Sequence, residues 1–215
     1  MTHAWPSAGG HLAEVIGHEI RNPLASAVAN LGVLAEMIDE RDPRAPFAAR
    51  AMSDLARASS LLTSYLDLER SGHAEREVLA IDTVVRRACE RHATGSVRVE
   101  HRDGAPGAMV HGNSHLLERL LENLLENAIG VGARRIEVVT GQHGGTCTIE
   151  VQDDGPGIPP QLHDKVFEPF VSGRSSSGLG LALVRRIVEL HDGSIALVPS
   201  TRGALFHIEL PVSWS

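Results

Sequence analysis

The chain has 215 residues, 42% of them hydrophobic, enough to bury one sizeable core or two modest ones. A formal net charge of −7 argues against nucleic acid as the main partner, because phosphate binding wants a basic face. No apolar run approaches the roughly 20 residues that span a bilayer, the N-terminus lacks a signal peptide's apolar region, and Cys89 and Cys147 are too few and too distant for a disulfide framework or a zinc site, so the chain reads as cytoplasmic, without membrane contact and with reduced, partly buried thiols.

The first predicted element is a helix starting between Ser7 and His11 and running to about Asp39. Along it Ile20, Leu24, Ala27, Leu31, Leu34 and Ile38 recur at steps of four and three, the seam of a helix packed in a bundle. His18 lies two residues before Ile20, roughly 200° around the helix, and therefore faces away from that seam. Asn22 sits one turn later on the same outward face, and Glu19 adjoins His18. Pro23 removes a backbone hydrogen bond inside the helix at a cost of about 3 kcal/mol, which some other benefit should offset. The segment lacks the second histidine of the helical zinc-protease motif.

Asp42-Pro43-Arg44-Ala45-Pro46 supplies a turn, after which Met52, Leu55, Ser59, Leu62 and Leu66 mark a second helix at three-and-four spacing. Two such helices make an antiparallel hairpin, and one hairpin buries only part of its apolar surface. Dimerisation into a four-helix bundle is the economical solution, and docking onto the downstream domain is the alternative. Ser71-Gly72-His73 breaks the pattern and places the domain boundary, giving residues 1–72 and 73–215.

Beyond the break, short strands alternate with helices. A strand is expected over 77–81, a helix over 82–92 opened by an Asp82 cap, and a strand over 97–101. A long helix follows over 114–129. Strands over 135–140 and 146–152 pair about the Gly141–Gly145 turn, a helix covers 184–190, and strands over 194–198 and 204–210 close the domain. This mixture predicts a sheet covered on one face by helices. His111 and His115 have a spacing compatible with a metal, but Gly112-Asn113 between them reads as a strand-to-helix turn and leaves them as solvated histidines.

Four islands here carry chemistry. Asn123-Leu124-Leu125-Glu126-Asn127 puts two asparagines on one helical face, able to offer amide oxygens to Mg²⁺. Asp153-Asp154-Gly155-Pro156-Gly157 follows a strand and sets a carboxylate beside a glycine turn open to a planar base. Phe167-Glu168-Pro169-Phe170 places an aromatic pair before a Ser/Gly stretch that reads as a lid or an exposed loop. Gly178-Leu179-Gly180-Leu181 opens a helix whose free N–H groups suit phosphates. Neither a GK[ST] phosphate loop nor a G-x-G-x-x-G fingerprint is present.

In this order and spacing the islands, together with Gly17-His18-Glu19-Ile20-Arg21-Asn22-Pro23-Leu24, closely resemble the catalytic core of two-component sensor histidine kinases over nearly the whole chain. The eight-residue segment resembles the phosphoacceptor box, and the others the asparagine box, first glycine box, phenylalanine box and second glycine box. The short lid with Ser172-Gly173-Arg174 looks most like the nitrogen-regulatory branch, in which a basic residue at that place approaches the terminal phosphate.

The resemblance implies a dimeric phosphotransfer hairpin joined to an α/β two-layer sandwich of the Bergerat or GHKL type, the ATP-binding fold of gyrase, mismatch-repair ATPases and heat-shock chaperones. By the same resemblance Asn127, supported by Asn123, would hold Mg²⁺ on the phosphates of ATP. Asp153 would bond the adenine amino group in a pocket shaped by Gly155 and Gly157. Gly178, Leu179 and Gly180 would cradle phosphates under a lid bearing Arg174. His18 would be the phosphoacceptor and Glu19 its orienting base. Asn22 would hold water for hydrolysis of a response regulator's phosphoaspartate.

Three departures from the family pattern bear on ATP turnover: Gly130 replaces a common lysine, Asn113 a common aspartate, and Ser176 the first glycine of the second glycine box. Only 17 residues precede His18 in this sequence, so input is expected from a sensor protein in trans or from a longer chain around this core. The competing expectations are a phosphotransfer protein or pseudokinase fed from elsewhere, and a non-catalytic dimeric scaffold for a response regulator.

Overall fold

A computed structural model describes residues 10–39, 42–71, 75–93, 97–168, 171 and 178–213. The chain divides into two compact units, Met1–Arg70 and Ser71–Ser215.

The first unit holds α1 (Gly10–Glu36) and α2 (Ala45–Ser71), each 27 residues long. They are joined by a turn in which Asp42 accepts hydrogen bonds from the Arg44 backbone N–H (2.8 Å) and guanidinium. Pro23 lies inside α1, as its position in the heptad pattern predicts. The seam is only half covered within one chain: Leu24, Ala27, Leu31 and Ile38 are half-buried, whereas Ile20 is 41% and Leu34 54% exposed. Among the described residues, no helix is long and apolar enough to cross a membrane.

The second unit is a two-layer α/β sandwich. In chain order it contains β1 (Glu77–Ala80), α3 (Ile81–His92), β2 (Arg98–Gly104), β3 (Met109–Gly112), α4 (Ser114–Gly130), β4 (Arg135–His143), β5 (Thr146–Asp153), a 3₁₀ turn (Pro160–Lys165), α5 (Gly180–Leu190), β6 (Ser194–Val198) and β7 (Leu205–Pro211). The main sheet has the order β2-β4-β5-β7-β6, with β2 parallel to β4 and every other pair antiparallel. A parallel pair needs a crossover, and the chain from β2 to β4 supplies it through β3 and α4. β1 and β3 form a separate antiparallel pair, which a bridge from Val110 to Val212 joins to the end of the chain.

The core follows from strand alternation. Ile136, Val138 and Thr140 of β4, Cys147, Ile149, Val151 and Asp153 of β5, and Phe206, Ile208 and Leu210 of β7 are buried on one face. Helices α3, α4 and α5 cover that face with Val84, Val85, Leu117, Leu121, Leu124, Leu183 and Ile187. Arg91 of α3 reaches the nearly buried Glu118 of α4, with Glu122 2.5 Å away on the other arm of the fork. Both cysteines are buried and unbridged, and desolvation pushes each thiol up to about 11.

The sheet and its helical cover match the sequence pattern, with one correction at the β4–β5 turn, which is Gly144-Gly145 alone because Gly141, Gln142 and His143 pair with Thr148, Cys147 and Thr146, and three at other elements. Helix α3 is not opened by an Asp82 cap: Ala80 occupies the cap position, and the N–H of the fully buried Ile81 is satisfied by the Ala108 carbonyl at 3.1 Å. Helix α5 begins at Gly180, inside the 178–181 segment expected to open a helix and four residues ahead of the 184–190 run expected to be helical. Strand β3 and the 3₁₀ turn are additional elements, the former too short for alternation to announce.

Candidate functional site

Helix α4 is the rail on which the site is built. Leu117, Leu120, Leu121, Leu124, Leu125 and Ala128 are buried along it and fix its rotation against the sheet. At its start Asn113 is the N-cap, accepting the Leu116 N–H on Oδ1 at 3.1 Å and donating from Nδ2 to the Glu75 carbonyl at 2.8 Å. An aspartate would cap equally well but could not donate to Glu75. The backbone N–H of Asn113 donates to Nε2 of the buried His191, whose Nδ1 donates to the Ile187 carbonyl at 2.7 Å. One neutral imidazole thus ties the end of α5 to the beginning of α4, and burial holds its pKa below the ordinary value.

The two predicted asparagines occupy consecutive turns with different surroundings. Asn123 is buried and donates from Nδ2 to the Arg119 carbonyl of its own helix at 2.7 Å, which turns Oδ1 toward Gly180. A methyl group at Gly180 would lie 3.1 Å from that oxygen and 3.9 Å from Asn127 Nδ2, so the first residue of α5 rests directly on the asparagine pair. Asn127 is half-buried and its amide has no hydrogen bond among the described residues. Leu179 is the N-cap position of α5 and is buried, and its own apolar side chain makes no cap hydrogen bond. Gly178 before it has φ +67°, a conformation that favours glycine. The second glycine box therefore sets the N-terminus of α5 against α4.

Asp153 ends β5 on the buried face. Its Oδ1 accepts the Gly155 N–H at 2.8 Å and the Ala204 N–H at 3.2 Å, and its own N–H donates to the Ala204 carbonyl at 3.0 Å. Oδ2 takes no hydrogen bond among the described residues. Gly155 packs beside Val131, the residue that follows the end of α4 one turn beyond Asn127; the Val131 side chain would lie 3.1 Å from a methyl group at Gly155. Gly157 (φ +73°) lies against Gly203. Asp154 serves the scaffold instead, accepting the N–H groups of Arg134 (2.7 Å) and Arg135 (2.9 Å), and these bonds hold its carboxyl below the usual range.

Asn123, Asn127, Asp153, Gly155, Gly157, Gly178, Leu179 and Gly180 thus gather around α4. Asn22 is exposed on α1. His18 and Glu19 lie on α1, but their side chains, together with the whole of Arg174, Ser176 and Phe170, fall outside the described residues. Phe167 pairs edge-to-face with Phe206 of the core, with ring centroids 6.2 Å apart. Sequence reasoning did not identify Val131, His191, Gly203 or Ala204. Only Gly203 left a local mark, a glycine just before the closing strand.

An acceptor-bearing strand end and a glycine-led helix N-terminus, set along one asparagine-bearing helix and preceded in sequence by a helical unit, make a two-part chain whose α/β unit carries the site. The family described as Histidine kinase-, DNA gyrase B-, and HSP90-like ATPase matches residues 112–213, and that described as His Kinase A (phospho-acceptor) domain matches residues 10–74. The signal transduction histidine-protein kinase/phosphatase MprB of Mycolicibacterium vanbaalenii is 32% identical over 91% of this chain and 45% of its own length. The sensory histidine kinase/phosphatase NtrB of Rhodobacter capsulatus is 52% identical over 66 residues, 30% of this chain and 19% of that protein. The solved structure of a mycobacterial sensor histidine kinase MprB superimposes with a TM-score of 0.58 at 32% identity, covering 65% of this chain and 99% of that one. The chain belongs to the two-component sensor histidine kinases. It spans between 24% and 52% of the length of curated relatives that it matches over most of its own residues.

Proposed function

We propose that the chain is the catalytic core of an ATP-dependent protein histidine kinase, which phosphorylates His18 and passes the phosphoryl group to an aspartate of a response regulator. The observation that carries this reading is the alignment along α4. Asn123, Asn127 and the C-cap residue Val131 stand at successive turns, spanning about 12 Å of helix axis, with Gly180 against the first two and Gly155, whose turn is held by Asp153, against the last. A nucleotide laid along this line would put its base at Asp153 and its phosphates at α5.

Each end suits its part of the ligand. Asp153 keeps Oδ1 occupied by two backbone N–H groups and leaves Oδ2 to accept from the 6-amino group of adenine. The α5 N-terminus would offer backbone N–H groups and the positive end of its dipole to phosphate oxygens. The unpaired amide of Asn127 fits an oxygen ligand of Mg²⁺, whereas Asn123, whose Nδ2 is committed to the Arg119 carbonyl and whose oxygen lies against Gly180, is better suited to support it. Mg²⁺, when bound, would neutralise charge developing on the transferred group.

In the proposed reaction a ring nitrogen of neutral His18 forms a bond to the γ-phosphorus as the bond to the bridging oxygen of ADP breaks. Glu19 orients the imidazole and accepts its proton. The N–P bond is later exchanged for an acyl phosphate on the regulator. Asn22 carries no base to accept the imidazole proton, and its exposed amide is suited to hold water against the regulator's phosphoaspartate. Dimerisation through the helical unit and input from a further domain or protein belong to the same proposal. The phosphotransfer-protein, pseudokinase and scaffold alternatives are disfavoured, because they give no reason for an open carboxylate oxygen and an unpaired asparagine on one rail.

Labelled ATP with Mg²⁺ tests the reading. Wild type should acquire an acid-labile, base-stable label that His18→Ala loses while still binding ATP. Asn22→Ala should keep labelling within a few-fold and lose phosphatase activity on the phosphorylated regulator. Label surviving in His18→Ala would move the phosphoacceptor elsewhere.

A further inference from the structure

Asp153 is positioned from a distance of fifty residues in sequence. The β6–β7 turn brings Gly203 onto it with φ +55°, and a methyl group there would overlap both Asp153 Oδ1 and its carbonyl oxygen. The next residue, Ala204, donates its N–H to Oδ1 at 3.2 Å and accepts the Asp153 N–H at 3.0 Å. Gly203 also seats Gly157, whose added methyl would lie 3.2 Å from the Gly203 carbonyl oxygen. The carboxylate is therefore clamped between its own glycine turn and the entry to the last strand, with one oxygen sequestered and the other open.

We infer that Gly203 is a positioning residue that sets the nucleotide-base specificity of the site, by letting the Ala204 N–H engage Asp153 so that its free oxygen faces a 6-amino group and rejects a 6-keto group. The inference rests on the reading of Asp153 as the base-recognising residue. A carboxylate accepts hydrogen bonds only, so a base that offers an oxygen at position 6 meets an unpaired acceptor. That rejection is sharp only while the carboxylate cannot rotate, and the space left by the missing Cβ at Gly203 is what admits the second strap. A side chain there would have to push the strand entry, and the Ala204 N–H with it, away from Asp153.

Gly144 provides an internal control. It sits in the β4–β5 turn with φ +56°, and a methyl group there meets nothing within 4 Å. Gly144→Ala and Gly203→Ala therefore both place a Cβ at a left-handed φ of about +55°, and only the second meets Asp153.

The test measures binding of ATP and of ITP, its 6-keto counterpart, to the purified chain by calorimetry with Mg²⁺. Wild type and Gly144→Ala should prefer ATP by roughly tenfold or more. In folded Gly203→Ala, ATP should weaken while ITP stays unchanged, bringing the two within about threefold. A folded Gly203→Ala that keeps its preference, or that loses both nucleotides equally, overturns the inference and leaves the nucleotide reading intact. Wild type binding neither nucleotide overturns both. Should Gly203→Ala not fold, hydrogen exchange on wild type decides. ATP should slow exchange of the Ala204 amide several-fold relative to the Gly145 amide, and ITP at equal occupancy should not; equal slowing by both nucleotides overturns the inference.

Discussion

His191 is a histidine that works by staying uncharged. Its Nδ1 proton is committed to the Ile187 carbonyl and its Nε2 lone pair to the Asn113 N–H, so a second proton would break the bond to α4. Desolvation lowers its pKa below 6.5, reinforced by Arg76 and His111 and opposed by the Ile187 carbonyl and Asp192, which is itself paired to Arg76 at 2.7 Å. The unfolded chain therefore takes up this proton at a higher pH than the folded one. The contribution of His191 is fully present above the ordinary histidine value and is lost as pH falls through the depressed folded value. Melting curves should show stability falling from pH 7 toward pH 5, and His191→Gln should flatten that slope while lowering stability at pH 7.5 by about 1–3 kcal/mol. An unchanged slope would mean that other groups carry the acid sensitivity. Asp153 and Asn127 were legible in sequence because each announces itself within a few residues, by a glycine turn or a helical spacing. His191 and Gly203 were not, because what each does is fixed by a residue fifty or more positions away.

Elements were legible wherever a period was long enough to read. Helix α4 and the β4–β5 hairpin follow from leucine spacing and strict alternation, whereas β3, four residues long, has its pairing with β1 decided by the fold. The glycines at the head of α5 interrupt its apolar period, so the first turn is legible as a glycine motif and not by spacing; glycine disfavours a helix on local grounds and is kept here because Gly180 must approach Asn123. The other glycine of this region, Gly130, has no such reason. It is the last residue of α4, exposed, with a negative φ and nothing within 4 Å of an added methyl group. Gly130→Ala should therefore stabilise the second unit by about 0.4–1 kcal/mol through the unfolded state. That corresponds to a rise in melting temperature of roughly 1–4 °C. ATP binding should be unaffected. Calorimetric melting of the variant checks the first expectation, and destabilisation would show that the α4 terminus needs glycine for a contact it makes only when ligand is bound.

At the scale of the whole molecule, the two units differ in how completely they bury their apolar residues. The α/β unit closes its core, with twelve large side chains essentially inaccessible. The helical unit instead leaves Val33 59%, Leu34 54%, Met37 77% and Phe47 74% exposed at the α1–α2 end, and Ile20 41% exposed further along the seam. Single exposed apolar residues are ordinary, but a group of four at one end of a hairpin, continuous with a half-covered heptad seam, is a surface that water does not favour. A second copy of the hairpin covers such a seam economically, because the same leucines meet their counterparts across a two-fold axis. The protein should sediment as a dimer at micromolar concentration. Leu31→Asp, which places a charge at the half-buried centre of the seam, should shift it to monomer while leaving ATP binding by the α/β unit intact. Losing the dimer should also lower His18 labelling if phosphorylation crosses between protomers, and should leave it unchanged if each protomer serves itself. The same variant therefore distinguishes the two routes. A wild-type monomer under these conditions would sink the bundle and require another partner for the exposed end of the hairpin.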